Sequence, residues 1–298
     1  MTLSDKQYRE LCDVRANEPE RIAHGYANRQ RRSQFTSRGV SFIIAADHTA
    51  RGMIGLGGDP RAMADRRLML DRLLIALDNP RVDGVLASAD IMDDLLLLGA
   101  LESRIAVGTM NRGGIAGAAW GLDDRFTAYD TKHLIAQRLD AGKMLLRIHD
   151  GDAGSGATLH ACAQAVQELS DHRMLAMVEP IPYITNAAGQ HVWDDDPNML
   201  LRAVGVSAGL TGTSAYNWLK IQATDNIAQV AAMTNQPLLL LGGAPGPDLG
   251  ATMALWAKGL DQPTVRGLVI GRSLLYPADG DVESAVARAA DLVTAAER

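Results

Sequence analysis

Lysine is scarce in this chain: Lys6, Lys132, Lys143, Lys220 and Lys258 are the whole set. Two of them fall inside apolar runs, Lys143-Met144-Leu145-Leu146 and Trp218-Leu219-Lys220-Ile221. Burying an ammonium is costly unless it is paired or gives up its proton. A lysine held in that way is a nucleophile: its neutral amine attacks a ketone, and loss of water leaves a protonated imine. The imine is an electron sink for carbon–carbon cleavage, after which the enamine is reprotonated. Such chemistry needs two carboxylates, one to take a hydroxyl proton as the bond breaks and one to supply a proton for dehydration. Asp47, in Ala46-Asp47-His48, and Glu179, in Val178-Glu179-Pro180, end apolar runs of their own. With Lys143 near Lys220 to depress its pKa further, the four form a candidate catalytic group, the two acids being interchangeable at this level. Taken singly, each has a plainer reading: Asp47 a cap, Glu179 a strand terminator, Lys143 a barrel-bottom ion-pair partner.

For four residues so far apart in the chain to meet, each must sit on an element that aims it inward. Short β-branched or leucine-rich runs recur, each closed by Gly, Asp, Asn or Pro and followed by a helix-like stretch. Strands are expected near Ser41–Ala46, Gly84–Ala87, Ile105–Gly108, Lys143–Ile148, Met174–Glu179, Tyr216–Ile221, Leu238–Leu241 and Leu268–Ile270. Helices are expected over Pro60–Leu77, Asp130–Leu139, Thr158–Leu169, Pro197–Val206, Asp248–Lys258 and Asp281–Ala295, with Asp59-Pro60, Asp196-Pro197 and Pro247-Asp248 as starts. Eight βα units predict one (β/α)8 TIM barrel over residues 1–298, with a helical extension over 1–38 that closes the barrel's bottom or meets another subunit. The absence of Gly-x-Gly-x-x-Gly after the first strand disfavours an open doubly wound sheet. Strand side chains alternate between faces. If Phe42, Ile44, Met144, Leu146, Leu219 and Ile221 face the helices, then Asp47, Lys143, Arg147 and Lys220 face the barrel axis, and Glu179 is opposite in parity to Val178. Three of the four candidates lie near C-terminal strand ends, where barrel enzymes work. Lys143 sits at the start of its expected run.

A phosphate site is expected after the last two strands, from Gly242-Gly243-Ala244-Pro245-Gly246 and Gly271-Arg272-Ser273. Glycines let backbone N–H groups approach phosphate oxygens, and an arginine fork binds them. Arg112, in Asn111-Arg112-Gly113-Gly114 after the third strand, is placed to meet a substrate acid group. Arg147 points inward as a further candidate for binding the substrate or its phosphate, with pairing to Glu179 or Asp47 as the plainer reading.

The formal net charge of −6 makes any phosphate site a local construction, and 4% aromatic residues argue against a stacking surface for nucleic acid. The Arg29–Arg32 stretch reads as a solvated or oligomer-facing helix end. Cys12 and Cys162 form no CxxC pair, and the polar stretch Met1–Glu20 lacks the apolar core of a signal peptide. No apolar run reaches membrane-spanning length. A cytoplasmic, non-membrane protein that assembles as a homo-oligomer is expected. Trp193-Asp194-Asp195-Asp196 reads as a solvated loop ending in a helix cap, or alternatively as a lid.

Ala46-Asp47-His48, Lys143-Met144-Leu145-Leu146, Val178-Glu179-Pro180, Trp218-Leu219-Lys220 and Gly242-Gly243 together resemble the class I fructose-bisphosphate aldolase superfamily, including bacterial branches acting on tagatose, sulfo-sugar and deoxyketo-sugar phosphates. The resemblance spans roughly Ser41 to Ala290. It implies that Lys220 forms a Schiff base, that Asp47, Lys143 and Glu179 complete the catalytic group, and that Gly271 and Arg272 bind a sugar phosphate, with no cofactor. The stretch Pro237–Gly243 lacks the further lysine of deoxyribose-phosphate aldolases, which favours a ketose phosphate. Among family activities, cleavage of 5-dehydro-2-deoxygluconate 6-phosphate is the leading specific expectation. Two other readings stay open. One is a metal-dependent aldolase or isomerase using His48, His149, Asp150, Asp152 and His160; the other is a barrel that binds a sugar phosphate without turning it over.

Overall fold

The computed structural model describes residues 2–36, 38–243 and 248–298. Two helices, α1 (Asp5–Asn17) and α2 (Glu20–Asn28), precede β1 (Ser41–Ala46). Then follow α3 (Arg66–Asp78), β2 (Gly84–Ala87), α4 (Ala89–Leu97), β3 (Ile105–Thr109), α5 (Thr131–Ala136), β4 (Ala141–Ile148) and α6 (Gly154–Asp171). The second half runs β5 (Leu175–Thr185), β6 (His191–Trp193), α7 (Pro197–Ala208), β7 (Asn217–Gln222), α8 (Ile227–Ala231) and β8 (Leu238–Leu241). It ends with α9 (Leu249–Leu260), β9 (Val265–Ile270), α10 (Arg272–Leu275) and α11 (Val282–Ala295).

Eight strands, β1 to β5 and β7 to β9, pair in parallel, and the β4–β5 and β9–β1 pairings close the ring. This is the expected (β/α)8 barrel. β6 stands outside it, antiparallel to the far end of β5, so the strand expected sixth is β7. Both faces of each strand are covered, which is why the runs are continuously apolar. The predicted parity holds: Phe42, Ile44, Met144, Leu146, Leu219 and Ile221 belong to the layer under the helices. Ile43, Ala45, Leu86, Val107, Ala141, Met177 and Val269 fill the barrel axis.

Aspartates start most of the surrounding helices, as expected: Asp130, Asp196, Asp248 and Asp281 each accept a backbone N–H of the first turn. Asp59-Pro60 does not. Asp59 and Leu56 exchange backbone bonds in a tight turn, and α3 begins only at Arg66, capped by Asp65. An aspartate before proline suits a turn as well as a helix start.

The N-terminal segment closes the bottom of the barrel. Phe35 meets Trp218 edge to face at 5.1 Å and packs on the axial core. Arg29 is the larger correction. It is fully buried rather than solvated, donating to the carbonyls of Arg104 (2.9 Å) and Arg138 (2.7 Å) and pairing with Asp140. Arg31 and Arg32 pair with Asp140 and Asp83. These arginines hold the extension to the strand starts, because a guanidinium surrounded by carbonyls can leave water at tolerable cost. No described helix is long and apolar enough to cross a membrane.

Candidate functional site

β1 ends at Ala46, so Asp47 is the first residue past the strand and keeps its inward parity. β4 begins two residues before the expected point, which makes Lys143 its third residue, opposite Thr109 at the end of β3. Lys143 is therefore deep, and its four-carbon stem carries the ammonium up to the site. Glu179 on β5 and Lys220 on β7 arrive from the other side. All four are buried, with Lys143 1% and Lys220 5% exposed.

The four form a chain of alternating charge. Lys220 Nζ donates to Glu179 Oε1 at 3.0 Å, and Lys143 pairs closely with Glu179 Oε2. Lys143 Nζ also lies 3.5 Å from Asp47 Oδ2, and the Arg112 guanidinium closes on the same oxygen. Arg112 Nε donates to Thr109 Oγ1 at 2.9 Å. Arg112 is thus engaged by Asp47 rather than left open for a substrate acid.

Two buried ammoniums share one carboxylate, and burial outweighs its pull on their protons. Burial pushes the Lys220 pKa down; Glu179 opposes this, while Arg112 and Arg272 add to it. Burial likewise drives Lys143 well below the ordinary lysine value. At Glu179, burial pushes upward, but Lys143 and Lys220 outweigh it and hold the carboxyl below the usual range. Glu179 therefore stays ionised, and both lysines hold their protons less tightly than a lysine in water. Burial, then Arg272 and both lysines, keeps the His48 imidazole neutral. Burial pushes Arg112 down to about 10, which leaves it charged at neutral pH.

A cavity of about 1200 Å³ opens over this group, lined by all four residues and by Arg112, Arg147, Gly242, Gly243 and Arg272. Gly243 takes φ +67°, a conformation natural to glycine. Arg272 Nε is buried without a protein partner among the described residues. Gly271 lies against β1: a Cβ there would come 2.3 Å from Ala45 O. Ala244, Pro245 and Gly246, part of the expected phosphate loop, lie outside the described residues. The first-turn N–H groups of Gly250 and Ala251 in α9 are taken by Asp248.

Several residues are placed otherwise than expected. Arg147 pairs with neither Glu179 nor Asp47. Its Nε and Nη2 bind both oxygens of fully buried Asp124, at 2.6 and 2.7 Å, and it also holds the Gly121 carbonyl. It anchors the loop after β3. Trp193 belongs not to a solvated loop but to β6, whose residues line the cavity, while Asp196 caps α7. Of the candidate metal ligands, His149 binds Thr185 and Gly151 N, Asp150 binds Arg202, and Asp152 accepts from Gly154 N. Among the described residues, no group of three or more His, Cys, Asp or Glu side chains is arranged to hold a metal ion.

Arg51, Tyr183, Gln222, Thr252 and Trp256 also line the cavity and were not anticipated. Tyr183 had a readable signal. It continues the parity Glu179, Ile181, Tyr183, but Pro180 and Pro182 look like strand terminators. In fact β5 runs on to Thr185.

The family model described as Cgl0159-like matches residues 39–290. The crystal structure of Cgl0159 from Corynebacterium glutamicum is 42% identical, covers 98% of both chains and superimposes with a TM-score of 0.95. An archaeal fructose-1,6-bisphosphate aldolase, solved with its catalytic Lys covalently bound to the carbinolamine intermediate, is 18% identical over 91% of this chain and 99% of its own (TM-score 0.64). Fructose-bisphosphate aldolase from Slackia heliotrinireducens is 16% identical over 91% of both chains (TM-score 0.60). At those identities the two aldolases share the fold with this chain, and the likeness carries no more than that. A search of the curated proteins finds no significant match.

Proposed function

The chain belongs to the Cgl0159-like family, and from that premise and the geometry above we propose that it is a class I aldolase. Lys220 forms a Schiff base with the ketone of a phosphorylated ketose or deoxyketo-sugar acid. The observation that carries this reading is the 3.0 Å contact between Lys220 Nζ and Glu179 Oε1 inside a closed, cavity-topped barrel. The neutral amine adds to the carbonyl carbon. Glu179, the one carboxylate bonded to Lys220 among the described residues, relays protons as the carbinolamine loses water. The iminium draws electrons from the adjacent carbon–carbon bond while Asp47, at the first strand end, takes the hydroxyl proton. An aldehyde leaves, the enamine carbon is reprotonated, and water releases the ketone product. Lys143 and Lys220 hold Glu179 ionised, and Lys143 and Arg112 hold Asp47 in place.

Gly242, Gly243, Gly271 and Arg272 hold the phosphate, the unpartnered Arg272 Nε supporting that role. 5-Dehydro-2-deoxygluconate 6-phosphate is the leading specific substrate. The free cysteines Cys12 and Cys162 fit a reducing cytoplasm, and assembly as a homo-oligomer belongs to the same reading.

Cleavage of a panel of phosphorylated ketoses and deoxyketo-sugar acids, followed by aldehyde release, tests the proposal. At least one should be cleaved, with EDTA without effect. Lys220→Ala should lower kcat by roughly 10⁴-fold or more. Activity that survives Lys220→Ala, or that EDTA abolishes, would overturn it.

A further inference from the structure

β7 turns three residues toward the barrel axis, each at a different depth. Trp218 packs on Phe35 at the floor, Lys220 is the candidate nucleophile, and Gln222 ends the strand. Strand side chains alternate, so Gln222 points the same way as Lys220, two residues or roughly 6–7 Å nearer the cavity mouth. Its in-register neighbour on β8 is Leu241, two residues past the axial Leu239. On β5, continuing the pairing of Val178 with Leu219 sets Glu179 level with Lys220 and Ile181 level with Gln222. The layer above the nucleophile is thus apolar on both sides of Gln222, and Ala223 and Leu255 extend it along the cavity wall.

An amide half-buried among apolar side chains meets water on one side only, and a ligand that displaces that water must replace its hydrogen bonds. Other neutral polar groups of the cavity are held by the protein. Gln190 accepts from Asn186, His191 bonds Thr185, and Thr252 donates to the Asp248 carbonyl. The Gln222 amide is half-buried, lines the cavity and has no side-chain partner among the described residues. The arginines come from other strands: Arg272 follows β9, Arg51 follows β1 and Arg147 lies on β4. Gln222 is therefore a neutral donor and acceptor on an apolar wall. A hydroxyl, which also both gives and accepts, is its match.

We infer that Gln222 is a specificity-determining residue that hydrogen-bonds the hydroxyl on the carbon next to the Schiff-base carbon. This rests on the aldolase reading and narrows its substrates to ketoses hydroxylated at that carbon. With the phosphate arm on one neighbour of the imine carbon, reaching toward Arg272, the hydroxyl sits on the other neighbour. That second neighbour becomes the enamine carbon on cleavage. A ketone with a bare methyl or methylene there leaves the amide without a partner, and a site built to bond a hydroxyl rejects the analogue that lacks it. Gln222 moves no proton; its bond selects the ligand and orients the carbon whose bond breaks.

Two probes differ by that hydroxyl alone: dihydroxyacetone phosphate carries it and hydroxyacetone phosphate does not. Each is incubated with the protein, reduced with borohydride and read by intact mass for the Lys220 adduct. Gln222→Met keeps the length of the side chain and removes the amide. Comparing wild type with variant, probe by probe, cancels the difference in reactivity between the two ketones. The concentration for half-maximal trapping of dihydroxyacetone phosphate should rise roughly three- to tenfold in Gln222→Met, the worth of one neutral hydrogen bond, while that of hydroxyacetone phosphate stays within about twofold. A merely structural role would weaken both probes alike. Such a parallel loss, or an unchanged value for dihydroxyacetone phosphate, overturns the Gln222 assignment alone. So does a wild type that traps longer ketose phosphates but neither probe. Absence of a wild-type adduct with both probes and with every ketose phosphate of the panel overturns the aldolase reading beneath it.

Discussion

Glu179 carries more than any other single side chain, because each of its oxygens answers a different buried ammonium. Replacing it with leucine would leave both lysines without their shared counter-charge, and breaking a buried pair from one side costs about 3–5 kcal/mol. Glu179→Leu should therefore show a loss of that size in urea unfolding. Glu179→Gln keeps the shape and should lower kcat by about 10²–10⁴-fold, the usual worth of a general acid–base group. The pH dependence follows from the same trio. Glu179 has its folded pKa depressed, so its stabilising contribution is present above the ordinary glutamate value and fades as pH falls through the folded one. Lys143 and Lys220 are depressed as well, so the unfolded chain binds their protons more tightly than the native one. Their burial costs stability at neutral pH, and that cost shrinks as pH rises toward the ordinary lysine value of about 10.4. Urea midpoints measured at about pH 7 and about pH 9 should rise with pH, and Lys143→Met should flatten the rise. A midpoint that falls over that range in the wild type would contradict the assignment.

At the scale of elements, the site depends on which way each strand turns its side chains and on how the loops after the strands are tied down. Arg147 illustrates the second. Its fork on Asp124 is the buried anchor of the loop that carries Gly114 and Gly121. Arg147→Met would leave Asp124 buried and unpaired at a cost of about 3–5 kcal/mol. The prediction is faster limited proteolysis between residues 111 and 130 and a raised KM. Parity was legible in the residues themselves: Phe42, Met144 and Leu219 had to face helices, so Asp47, Lys143 and Lys220 had to face the axis. Aspartate caps were legible for the same local reason. What could not be read depended on tertiary contact. Pro180 and Pro182 hid the continuation of β5, and with it Tyr183 and the β5–β6 hairpin over the cavity. Asp124 is distant in sequence from Arg147, and no local pattern joins them. Arg51 lies in a turn of unremarkable composition, and only the packed Gly114 loop gives it a direction.

The whole molecule is acidic, yet it concentrates cations at one end of its barrel. Its other end is shut by Phe35, Trp218 and the buried Arg29. The ring between them closes at the β9–β1 seam, where Gly267 has φ +138° and a Cβ would lie 1.9 Å from Ser41 O. Gly267→Ala should cost about 2–4 kcal/mol by combined backbone strain and overpacking, visible as a lowered Tm. An unchanged Tm would mean that the seam is looser than described. The seam also carries Asp47 and Arg272 just past its two strands, so the variant should lose activity along with stability.

The central claim concerns one amine, and one measurement reaches it directly. The protein is incubated with the phosphorylated ketose panel, reduced with sodium borohydride, and analysed by intact mass and peptide mapping. A covalent adduct of the mass of the substrate, or of the ketone product left after the aldehyde departs, less water and plus the two hydrogens of reduction, is expected on Lys220 and absent from Lys220→Ala. An adduct mapped to Lys143 or another lysine, or no adduct with any ketose that is cleaved, would contradict the account.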